Sequence, residues 1–166
     1  HHHADLMAQC KDVRDRAVLD RLNLIALDRE IRQAKEQSGG RGAIAVNVMK
    51  AVDQHAALVR QSCESGVDAI VMGAGLPLDL PDMCAEFPGV ALIPILSDAR
   101  GVSIVLRRWL RKNRMPDAIV IEHPRYAGGH LGATRIEELN DPRFEFDRVI
   151  DEVSLAFREQ HVESEK

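Results

Sequence analysis

The sequence predicts an α/β protein on a parallel sheet, equivalent to about half of a closed (β/α)8 barrel. Three observations carry that prediction. Short apolar runs alternate with segments of helical periodicity, at roughly thirty residues per unit or less. The apolar runs are nearly continuous, as in strands covered on both faces, and do not alternate with polar positions. A polar residue or a glycine closes each run: Asn47, then Gly73 and Gly75, then Ser97 and Asp98, then Glu122. A barrel assembles its site from such strand ends at one face. An open doubly wound nucleotide fold is expected to place a glycine fingerprint after its first strand. Here that strand ends in Asn47, Val48 and Met49.

The elements follow in order. Residues 5–37 read as one long helix, with Val13, Ala17, Leu24, Leu27, Ile31 and Ala34 on an apolar face and room for a break near Asp20. Ser38, Gly39 and Gly40 end it, the glycines being free to take a left-handed cap. Residues 42–49 form the first strand, and 51–65 a helix with Val52, Ala56, Val59 and Cys63 on one side. Residues 68–75 form the second strand and 80–87 a short helix. Residues 90–96 form the third strand, where Pro94 predicts a bulge or an unpaired position. Asp98 is placed to cap a helix over 99–112. Residues 117–122 form the fourth strand, and 146–160 the last helix. The chain thus divides into a helical segment (1–40), the βα units (42–145) and a closing helix with its tail (146–166), all within one segment of a domain.

A complete barrel needs about 250 residues, and four strands would leave two apolar edges unpaired. The 166 residues are therefore expected to be a segment of a longer protein. The net charge of −4 gives no drive towards nucleic acid or an anionic membrane, and no apolar run is long enough to span a bilayer. No secretory leader pattern opens the chain. Three cysteines, Cys10, Cys63 and Cys84, lack the spacing of a disulfide framework or a zinc site, so they read as structural thiols in a reducing cytoplasm. His1–His3 read as a tag remnant or a native run and not as a metal site, and no metal is expected.

The strongest local signal is Tyr126-Ala-Gly-Gly-His130-Leu-Gly-Ala133, which follows the strand ending in Glu122. Its glycines would let backbone amides approach a phosphate or a flat ring, and His130 would titrate near neutrality as an acid or base. A turn with an exposed histidine explains the same letters equally well. Gly73-Ala-Gly75-Leu-Pro77 suits a ligand lying on the strand end, but a tight β-to-α turn is the stronger reading. Asn47 offers both donor and acceptor inside an apolar strand, for a ligand edge or for the rim itself. Arg107, Arg108, Arg111, Lys112 and Arg114 surround Trp109, and read as the solvated face of an outer helix with the indole packed inward. His55 and His161 read as surface residues on helices.

Taken together and in order, the runs Ala45–Met49, Asp68–Pro77, Leu92–Ser97 and Pro116–Glu122 and the string Ala127-Gly-Gly-His-Leu-Gly132 resemble the nitronate monooxygenase (2-nitropropane dioxygenase-like) family of FMN-dependent barrels. The resemblance spans residues 42–141. It implies FMN across the C-terminal face of the barrel. Asn47, Gly73, Ser97, Glu122, Gly128, Gly129 and Gly132 would be cofactor contacts. His130 would be the catalytic base that takes the α-proton of a nitroalkane or contacts the nitronate. The implied partners are that small molecule and O2, in a protein that could form a homo-oligomer. The family's opening strand and its later phosphate-cradling strands have no counterpart here, so the segment would not supply a complete FMN site by itself. Two other readings stand beside it: an FMN-dependent NAD(P)H reductase of quinones or enoyl thioesters on a related barrel, and a non-catalytic flavin- or phosphate-binding fragment.

Overall fold

The computed structural model of the chain describes residues 3–10, 15–127 and 135–159. Strands β1 (Ala45–Met49), β2 (Ala69–Gly73), β3 (Ala91–Leu96) and β4 (Val120–Ile121) form a four-stranded sheet in the order β1-β2-β3-β4. Every neighbouring pair is parallel. An order that never reverses is that of a barrel wall; an open doubly wound sheet changes direction at a switch point. The fold is therefore α/β and partial-barrel-like, with α3 (His55–Glu64), α4 (Leu80–Met83), α5 (Ala99–Leu110) and α6 (Phe146–Glu159) each following its strand.

The N-terminal segment differs from the single helix read from its periodicity. It comprises α1 (Ala4–Met7) and α2 (Arg16–Ser38). Asp15 starts the second helix, its carboxylate accepting the Val18 amide at 3.1 Å. An N-cap side chain satisfies an amide that would otherwise have no partner, and so outcompetes helix continuation at that point. Gly39 ends α2 in the left-handed conformation at φ 57°, as the glycine pair implied. The helix predicted to 87 stops at Met83, and β4 keeps two residues of the six expected.

Pro94 explains part of the shortness of β4. The β2–β3 register runs unbroken through Met72 and Pro94, so there is no bulge. The carbonyls of Leu92 and Leu96 accept from Asp117 and Glu122 on the β4 side, at 3.0 and 2.9 Å. Residues two apart on a parallel strand face the same neighbour, so Pro94, which has no N–H, withholds a donor from β4.

One face of the sheet is covered. Val48, Ile70, Met72, Leu92 and Leu96 pack against Ile31, Val59, Leu80, Val102, Leu106 and Trp109 from the helices. The other face is open, contrary to the two-sided covering expected of such apolar strands. Ala45, Asn47 and Met49 are exposed there, Val71, Ile93 and Ile95 are half-buried, and Val120 is exposed. In a closed barrel this concave face is the filled interior, which accounts for apolar residues in both alternating sets.

The N-terminal ends of the strands are tied by a repeated device. Asp68 donates its amide to the Ile44 carbonyl and accepts the Ile44 amide on its carboxylate, at 2.8 and 2.7 Å. Asp117 does the same with Leu92, at 3.0 and 2.7 Å. Each carboxylate also meets a cation just beyond or near a helix end, Lys35 of α2 and Arg114 after α5. The Asp68 carboxyl is held below its ordinary value by the Ile44 amide first and Lys35 second.

Candidate functional site at the C-terminal rim

Shared strand direction brings the C-terminal ends of β1–β4 to one rim. Ile95 pairs with Val120 on the concave face, so Ser97 and Glu122, two residues further, project to that same side. The Glu122 amide donates to the Leu96 carbonyl at 2.9 Å, which extends the pairing to the rim. Ser97 and Glu122 line one cleft of about 400 Å³ with Gly75, Asp98, Arg100 and Ile104.

Local sequence shapes this cleft. Asp98 caps α5 as predicted, accepting the Gly101 amide at 2.7 Å. A Cβ on Gly101 would stand 3.3 Å from that carboxylate oxygen, so glycine keeps the cap close. After β2 the chain turns sharply, Ala74 at φ 61° and Gly75 at φ 121°. The loop beyond is pinned from both sides. The indole N–H of Trp109 donates to the Pro77 carbonyl at 3.0 Å, and Lys112 Nζ donates to the Leu78 carbonyl at 2.9 Å. Lys50, just after β1, pairs with Asp79. Burial pushes the Asp79 carboxyl up, but the Lys50 ammonium outweighs it and holds the group below its usual value.

The structure unites some of the residues expected from sequence and separates others. Ser97 and Glu122 meet in the cleft. Asn47 lies outside the lining, exposed on the concave face opposite Val71. Gly73 closes β2 beside Ile95: a Cβ there would come within 3.0 Å of Ile95 Cβ, so glycine also serves close packing. His130, Gly128, Gly129 and Gly132 lie outside the described residues. So does His161, whereas His55, read as a surface residue, is half-buried with Nδ1 2.8 Å from the Val52 carbonyl. The basic cluster behaves as read in part: Trp109 is fully buried and Arg107, Arg108 and Arg111 are exposed, but Lys112 and Arg114 lie past the end of α5, half-buried and paired with Asp82 and Asp117.

Two features escaped the sequence. His123, adjacent to Glu122, is buried among Tyr126, Phe144 and Phe146, with ring centroids 5.3, 6.3 and 5.7 Å away. Its Nδ1 accepts the Arg125 amide at 3.1 Å, so it anchors the loop after β4. Arg100 was read only as part of a helix, yet it joins Asp98, already placed at the strand end, in lining the cleft. With Glu122 and the Ser97 hydroxyl, the cleft offers two carboxylates, one guanidinium and one hydroxyl. That set suits a polar ligand edge carrying N–H donors. Among the described residues no group of three His, Cys, Asp or Glu side chains is placed to hold a metal ion. No described helix is long and apolar enough to cross a membrane.

The class defined by this fold is a parallel α/β barrel wall with a polar rim. No protein-family model matches the chain, and no curated protein matches it. Among solved structures, it is similar to a mutant of FabK from Thermotoga maritima, with a TM-score of 0.56 and 20% identity. The match covers 78% of this chain and 38% of that one. FabK is a TIM barrel, and the likeness is one of fold. The chain spans less than two fifths of FabK's length.

Proposed function

We propose that the chain supplies one side of the cofactor rim of an FMN-dependent oxidoreductase, and that the reaction is oxidation of an alkyl nitronate or nitroalkane with O2. The observation that carries this reading is the convergence of Ser97 and Glu122 beside Gly75 in a rim cleft, at the strand ends from which barrel enzymes build their sites. Asn47, exposed on the same concave face, would add an amide to the polar edge. These groups fit the heteroatom edge of a flavin ring: Glu122 as an acceptor of N–H, Ser97 and Asn47 as donors and acceptors. They do not fit its phosphate, since Asp98 and Glu122 outnumber Arg100 in the cleft. The phosphate would lie elsewhere on the barrel.

When bound, FMN would carry an electron pair between substrate and O2. The chain's own residues would orient the ring at the rim, and His130 would take the α-proton of the substrate. Gly128, Gly129 and Gly132 would keep the backbone near His130 free of side chains. The net charge of −4 disfavours nucleic acid as a partner. A second reading, reduction of a quinone or an enoyl thioester by NAD(P)H on the same kind of barrel, is favoured by the fold match to FabK.

Spectroscopy of the purified parent protein, which would supply the rest of the barrel, tests both readings. The two visible absorption bands of oxidised flavin, with O2 uptake on adding a nitronate, support the first. Flavin that is bleached by NAD(P)H under argon and ignores nitronate moves the reaction to the second. A folded protein that neither carries nor takes up FMN overturns both. In an active protein, His130→Ala is expected to lower turnover by about 10²-fold or more, the scale of losing a general base; near-parental rates remove His130 from the reaction.

A further inference from the structure

Cys63 and Cys84 are far apart in sequence and adjacent in space. Cys63 lies in the last turn of α3, Cys84 directly after α4. Their sulfurs are 3.9 Å apart, and the residues are 5% and 4% exposed. We propose that they form an oxidisable dithiol, converted to a disulfide by hydroperoxides. This site is independent of the flavin reading.

The geometry supports it in three ways. First, the two sulfurs need close by only about 2 Å to reach the length of an S–S bond. Cys84 is followed by turn residues and not by a continued helix, so it is the partner able to move. Second, the pair is buried but not sealed. Cys84 lines a cleft of about 370 Å³ together with Pro81, Phe87, Pro88, Lys112 and Arg114. A small peroxide entering there meets Cys84 first. Third, the two thiols are hydrogen-bonded to each other. The hydrogen bond from Cys84 holds the Cys63 thiol below its usual value against burial, while the same bond and burial push the Cys84 thiol up. The bond thus favours the thiolate on Cys63 and leaves the proton with Cys84.

The chemistry balances. A sulfur attacks one oxygen of hydrogen peroxide, the O–O bond breaks, and an S–O bond forms a sulfenic acid. The released hydroxide takes the proton that the attacking thiol gives up and leaves as water, while the other thiol keeps its own. The second sulfur then attacks the first. The S–S bond forms, the S–O bond breaks, and the oxygen leaves as a second water with the remaining thiol proton. Two electrons pass from the sulfurs to the peroxide. The product staples α3 to the segment after α4 and encloses β2 and its pinned loop.

The full chain with Cys10→Ser, which removes the third thiol, is treated with a small molar excess of hydrogen peroxide. It is then denatured, alkylated and digested for mass spectrometry. The expected product is a peptide pair joining Cys63 to Cys84, about 2 Da lighter than its two thiol peptides and separated by dithiothreitol. Complete alkylation of both cysteines overturns the proposal. So does separate oxidation of each to sulfinic acid. The Cys63→Ser and Cys84→Ser variants should each abolish the linked pair, and a cross-link surviving in either assigns it to other residues. Should a variant fail to fold, the peptide map of the Cys10→Ser chain decides alone.

Discussion

Gly73 and Trp109 show how single side chains hold the rim. A side chain at 73 meets Ile95 across the β2–β3 pair, 3.0 Å from its Cβ. Gly73→Val is expected to destabilise the chain by about 1–3 kcal/mol, the usual cost of overpacking, with urea denaturation as the measurement. Trp109 combines full burial with a hydrogen bond to the Pro77 carbonyl. Trp109→Phe keeps most of the packing but leaves that carbonyl without its donor. We expect a loss of about 1–3 kcal/mol in the same assay, and an unchanged midpoint would show that the bond contributes nothing net. Much of this scale was legible in the sequence. Asp98 as a cap and Trp109 as an inward-facing residue follow from local pattern. The Cys63–Cys84 contact and the aromatic enclosure of His123 do not, because they join residues from different elements and no fixed spacing encodes them.

At the scale of elements, the two aspartates ahead of β2 and β4 do the same task at the sheet's N-terminal edge. The folded-state Asp68 carboxyl titrates below its unfolded value, near 3.8. Its stabilisation is therefore complete above that unfolded value and is lost as pH falls through the lower folded value. Asp68→Asn should lower the urea midpoint at neutral pH, and the gap from the parent should narrow as the pH falls below about 4. A gap that stays constant across that range would show that the bonds of the ionised carboxylate to the Ile44 amide and Lys35 are not what the substitution removes. Strand and helix order were readable because period and composition switch cleanly between Ala43 and Glu122. The ends were less so. Asp15 interrupts a continuous apolar pattern by capping, and Pro94 shortens a strand twenty-odd residues away through a donor it lacks.

For the whole molecule, the decisive feature is a sheet with one covered face and one open face. Apolar composition cannot distinguish a strand packed between two layers from one lining a barrel, since both bury alternate residues in turn. Only the strand order, unreversed from β1 to β4, separates them. Met49 and Val120 stand 47% and 40% exposed on the open side. The chain by itself should bind a hydrophobic dye there. Val120→Lys should reduce that binding while changing stability by no more than about 0.5 kcal/mol, as expected for an exposed site. Equal dye binding by the variant would place the apolar surface elsewhere. The candidate site was less legible than the fold: Ser97 and Glu122 reach one cleft because strand ends share a rim, Asn47 and Gly73 do not line it, and His130 with its glycines lies outside the described residues.

The loop after β2 has one more consequence. Trp109 of α5 and Lys112 just beyond it grip its carbonyls, and Lys50, just after β1, grips Asp79. A guest entering the cleft beside Gly75 thus finds a wall already in its final shape. Little conformational freedom is left there to surrender on binding, and the fit depends on complementarity and not on closure of this loop.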